Sequence, residues 1–81
     1  MPTGNIVIIV NEHSASKYVR MVLSLFGVYD RVLLVARGRH VSRLSDVLRR
    51  LRGSVRIVGA DVTYADYAPE FSVLLAPAGG G

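Results

Sequence analysis

Arg31-Val32-Leu33-Leu34-Val35-Ala36-Arg37-Gly38-Arg39-His40-Val41-Ser42-Arg43-Leu44 contains the transition on which the fold turns. Its first six residues form a short, mainly aliphatic run, the pattern of a strand buried on both faces or inside a layered sheet. From Ser42 the period changes. Leu44, Val47, Leu48 and Leu51 recur at helical spacing, Ser42 is a suitable N-cap, and Gly53 ends the stripe. Between strand and helix lies Arg37-Gly38-Arg39, a basic turn in which glycine lets the backbone bend sharply and approach a ligand. Guanidinium forks fit phosphate oxygens, so Arg37, Gly38 and Arg39, with His40 beside them, are the first candidate for gripping a phosphate backbone. Arg43 falls in the first helical turn, where the macrodipole disfavours a cation unless an anion is bound there.

On the N-terminal side, Ile6 to Val10 is another β-branched run, and Ser14 is placed to cap a helix carrying Ala15, Tyr18, Val19, Val22, Leu25 and Phe26 on one face. Gly27 supplies its stop. Lys17, Arg20 and Ser24 fall on the opposite face as a basic stripe. Two aliphatic strands joined through a helix make a right-handed crossover with parallel strands. On the C-terminal side, Ser54 to Val58 begins a third strand extending past Gly59, a candidate bulge, to about Tyr64, and Phe71 to Ala76 is a fourth. The intervening Ala65 to Glu70 is short enough for a hairpin, so strands three and four are expected to be antiparallel. The predicted order is β-α-β-α-β-β: a two-layer α/β (α+β) domain over residues 5–76, with a four-stranded mixed sheet and both helices on one face. Residues 1–4 and 77–81 read as flexible ends.

Composition bounds the function. At 81 residues the chain makes one small domain, and its 51% hydrophobic content with a mean hydropathy of +0.37 is high for that size, which points to a protein interface. Yet no apolar run approaches the ~20 residues needed to cross a bilayer, and no basic leader precedes Ile6, so an intracellular, non-membrane protein is expected. Without cysteine there is no thiol chemistry or disulfide, and two isolated histidines do not make a metal site; no cofactor is implied. All ten basic residues lie between Lys17 and Arg56, where Asp30 and Asp46 are the only acids, leaving that segment at +8. Such segregation is the electrostatic footprint of a nucleic-acid binder, although a dispersed solvated surface gives the same sum.

These residues together resemble the Alba family of small archaeal chromatin and RNA-binding proteins, over residues 5 to 76. Arg31 to Arg43 is similar to the family's strand, Arg-Gly-Arg turn and second-helix start, and Tyr18-Val19 to a family Tyr-Val in helix one. The resemblance implies the Alba fold, akin to the C-terminal domain of initiation factor three. It also implies a non-enzymatic dimer, chromosome-associated in an archaeal cytoplasm, that binds double-stranded DNA, and often RNA, with little sequence preference. Carried onto this chain, the nucleic-acid-binding set is Arg37, Gly38, Arg39, His40, Arg43, Lys17, Arg20 and His13. A dimer interface would involve helix two and the edge of strands three and four, with Leu48, Leu51, Val58 and Phe71 as candidates.

Two departures stand out. Glu12-His13 occupies the loop where the family's best-known members carry a lysine pair, and the hairpin, long and basic in the family, looks short and carries Asp66 and Glu70. They give the chain the look of a divergent second paralogue. A heterodimer subunit with weakened nucleic-acid binding of its own is therefore one alternative, and an RNA binder of the ribonuclease-associated type another. His13 and His40 raise the thought of acid-base cleavage of RNA, but neither sits in a catalytic spacing. Tyr64 and Tyr67 are able to stack on bases, although tyrosines at strand ends more often pack.

Overall fold

The structure, a computed structural model, describes residues 4–78. Its elements are β1 (Asn5–Ile9), α1 (Ala15–Leu25), β2 (Arg31–Arg37), a 3-10 turn at Gly38–His40, α2 (Val41–Arg50), β3 (Val55–Ala65) and β4 (Ala68–Pro77). Alternation along β2 sets the layers: Val32, Leu34 and Ala36 are buried, while Arg31, Leu33 and Val35 between them are half-buried. The buried set faces both helices. Tyr18 and Val22 of α1 and Leu44 and Val47 of α2, with Leu51 just beyond it, meet Ile8, Val10, Val32, Leu34, Val73 and Leu75 in one core. Each fully buried aliphatic side chain there contributes about 1.5–3 kcal/mol.

The sheet order is β1-β2-β4-β3. β1 pairs parallel to β2, from Asn5 opposite Arg31 to Ile9 opposite Val35, as the crossover expected from two aliphatic strands requires. β4 inserts between β2 and β3, antiparallel to both, which makes the sheet mixed. The bulge expected at Gly59 is present, as a register shift between Ile57 and Gly59. Ser14 caps α1 as expected, its Oγ accepting from the Lys17 amide at 3.3 Å.

Three expectations are corrected. Ser42 does not cap the second helix: the Gly38–His40 turn leads straight into α2, His40 is the flanking residue, and Ser42 lies within the first turn. The hairpin is not short. β3 and β4 run on to a two-residue loop, Asp66-Tyr67, so the segment read as a six-residue connection is mostly strand. Pro69 misled that reading because proline cannot donate to a ladder. β2 stops at Arg37 opposite Glu70, however, so at Pro69 one edge of β4 is unpaired, and the missing N–H costs nothing. Thirdly, Pro77 closes β4 and the Ala78 amide donates to the Ser54 carbonyl at 3.1 Å, so this part of the expected tail is tied down. Residues 1–3 and 79–81, the remainder of the expected flexible ends, lie outside the described residues.

The helices do not reach β3. Ile57 and Val62 stand opposite Leu75 and Phe71, which places them on the helix-bearing face, yet both are exposed. An apolar groove therefore runs between α2 and β3–β4. Leu48 lies at its centre, with Val55 and Ile57 along one stretch and Val41, Leu44, Phe71 and Val73 along the other.

Candidate nucleic-acid interface

Three segments that are distant in sequence converge at one end of the sheet: the β1–α1 loop, the Arg-Gly-Arg turn after β2, and the β3–β4 hairpin. Gly38 takes a left-handed φ of 58°, which glycine adopts without strain, and this bends the chain from β2 into the 3-10 turn. A side chain at Gly38 would point toward Ala68, whose Cβ lies 3.9 Å from the position a Gly38 Cβ would take, so the hairpin rests beside the turn.

Each arginine of the turn meets an acid. Arg37 Nη2 donates to Asp66 Oδ2 at 3.0 Å, and Arg39 Nη2 donates to Glu12 Oε1 at 2.8 Å. His40 Nε2 lies 3.7 Å from the same Glu12 oxygen. The acids that set this chain apart in sequence thus stand against the guanidiniums expected to bind phosphate. Glu12, Arg39 and Asp66 are largely exposed, and ion pairs of that kind are worth about 0–1 kcal/mol, so an incoming phosphate is able to take the carboxylate's place.

Arg43 sits on the first turn of α2 as expected, but its Nη1 donates to the His13 carbonyl, tying α2 to the β1–α1 loop. Arg50 Nη1 donates to Ser16 Oγ at 3.0 Å and its Nε lies 3.5 Å from Asp46, the i, i+4 pair expected from the sequence. These contacts border a polar cleft between the starts of α1 and α2, lined by Ser14, Ser16, Ser42, Arg43, Asp46 and Arg50. Lys17 and Arg20 lie exposed on α1, and His13 is exposed with its ring edge-on to Tyr18 at 6.0 Å. Among the described residues, no group of three or more histidine and acidic side chains is placed to hold a metal, and no helix is long and apolar enough to cross a membrane.

Of the expected interface residues, Leu48 and Phe71 line the apolar groove. Leu51 is fully buried within the domain and has no side-chain surface to offer a partner, and Val58 sits at the bulge, exposed but outside the groove lining. Two features were not read from the sequence. Ile57, exposed on the helix-bearing face, joins the groove only because β4 aligns it there. Tyr18 carries more than core volume: its hydroxyl accepts from the Asn11 amide at 2.8 Å and donates to Asn11 Oδ1 at 2.9 Å, organising the loop that presents Glu12 and His13. The one signal in its favour was the resemblance at Tyr18-Val19.

No family model matches the chain, and no curated protein matches it in sequence. A solved structure does. Alba from Thermoplasma volcanium superposes with a TM-score of 0.72 at 17% sequence identity, covering 86% of this chain and 98% of that one. Element order, mixed sheet and placement of both helices agree with the architecture read from the residues, and the chain has an Alba-like fold.

Proposed function

We propose that this chain is a non-enzymatic nucleic-acid-binding protein that acts as a dimer and neutralises phosphates without reading base edges. The observation that carries the reading is the Gly38-centred turn, which presents Arg37, Arg39 and His40 at one end of the sheet, within a segment of net charge +8. Backbone-directed binding of this kind needs arginines that reach phosphates, and no pocket shaped for a base. The solved Alba structure supports the reading through its fold. By the same reading, the groove around Leu48, Ile57 and Phe71 receives a second copy, bringing two Arg-Gly-Arg turns into one assembly.

The test is a comparison of the chain with its Arg37→Ala, Arg39→Ala double variant on duplexes of several unrelated sequences. Affinity is expected to fall by a similar factor on all of them. A loss confined to one sequence, or no loss, contradicts the reading.

A second reading is favoured by the Arg39–Glu12 and Arg37–Asp66 pairs: a subunit whose own nucleic-acid surface is muted and which pairs with a more basic partner of the same fold. Solution mass separates the two. A stable homodimer that binds duplex unaided argues against the heterodimer.

A further inference from the structure

The tip of the β3–β4 hairpin is built against its own backbone preference. Both loop residues have left-handed φ values, 52° at Asp66 and 64° at Tyr67, the geometry of a two-residue hairpin loop that normally selects asparagine or glycine. A tyrosine there is strained. Nothing within the chain offsets the strain, since Tyr67 is as exposed as a free side chain, at 108% of the reference area. Tyr64, opposite Pro69 on the same hairpin, is 79% exposed. Two large aromatic rings are thus held in solvent next to the phosphate-binding turn, with Asp66 paired to Arg37 and Ala68 beside Gly38.

We propose that Tyr67, assisted by Tyr64, is a stacking platform for unpaired bases, so that single-stranded or looped nucleic acid is bound in preference to an unbroken duplex. This rests on the nucleic-acid-binding reading above and names its substrate class. Every base offers a π-face, and aromatic platforms beside a positive groove bind single strands with little sequence preference. In a duplex those faces are already stacked. A ring can reach them there only as a wedge from the minor groove, between two phosphate backbones, and the hairpin carries Asp66 and Glu70, whose charge opposes that entry. A single strand turns its bases away from its backbone, so the rings take the bases while Arg37 and Arg39 take the phosphates.

The experiment measures fluorescence anisotropy of a mixed-sequence single-stranded oligonucleotide and of the matching duplex, with the full chain and its Tyr67→Gly and Tyr67→Phe variants. Urea unfolding of each variant runs in parallel. Tyr67→Gly is expected to weaken single-strand binding roughly 5- to 100-fold, the range for losing one stacked base, while raising the urea midpoint because the backbone strain is relieved. Tyr67→Phe should keep single-strand affinity within about twofold, since stacking needs the ring and not the hydroxyl. Duplex affinity should be unchanged in both. Equal loss on single strand and duplex, no loss on either, or a fall in the urea midpoint on Tyr67→Gly overturns the proposal. Unimpaired duplex binding with no single-strand effect overturns only the stacking platform, whereas a wild-type chain that binds neither overturns the nucleic-acid reading and this inference together.

Discussion

Glu12 and Asp66 decide how strongly the arginine turn attracts an anion. Each carboxylate occupies space that a phosphate oxygen would take, and each must be displaced before Arg39 or Arg37 is shared with a ligand. Replacing them with the isosteric amides removes the competing charge and keeps the shape. The Glu12→Gln, Asp66→Asn double variant is therefore expected to bind duplex and single strand several-fold more tightly at low salt, an effect that fades as ionic strength rises. Titration at two salt concentrations checks it, and unchanged affinity at low salt would mean that the two acids do not hold the arginines back. The amino acids on both sides of this contest were visible in the sequence. Their pairing was not, because the partners lie 27 and 29 residues apart and meet only when three loops converge.

At the level of elements, strands and helices with a single buried face were legible, and those whose fate depended on neighbours were not. The aliphatic runs of β1 and β2 and the 3.6-residue stripes of α1 and α2 declared themselves, because core burial imposes those periods whatever surrounds them. The reach of the hairpin was hidden by Pro69, whose tolerance depends on where β2 happens to end. The start of α2 was hidden by the Gly38–His40 turn, which made a side-chain cap at Ser42 unnecessary. Tyr18 belongs to this scale because its hydroxyl joins α1 to the loop before it. The Tyr18→Phe variant loses the bonds to Asn11 in a part-buried setting and is expected to cost about 1–2 kcal/mol, read as a lower urea midpoint with an unchanged slope. A midpoint equal to that of the wild type would show that the loop is held by other contacts.

For the whole molecule, the question is what covers the face that the two helices leave open. Ile57 is 60% exposed in a groove whose other walls are Leu48, Val55, Phe71 and Val73, so a charge placed there meets solvent in a monomer and an apolar partner in a dimer. The Ile57→Glu variant should remain folded, because the side chain is not part of the core, and should sediment as a monomer where the wild type sediments as a dimer. A variant that stays dimeric places the interface elsewhere. The sequence carried the excess of apolar residues that asks for such an interface. It did not distinguish Leu51, consumed by the domain's own core, from Ile57, left over for a partner, since that division depends on how far the helices extend across the sheet.

The central claim is that the arginine turn binds phosphates by charge, and the salt dependence of duplex binding measures that directly. With about six phosphates neutralised per dimer, the logarithm of affinity should fall against the logarithm of salt concentration with a slope near −5, and the Arg37→Ala, Arg39→Ala variant should flatten it by several units. A wild-type slope near zero, or a slope that the double variant leaves unchanged, would contradict the account.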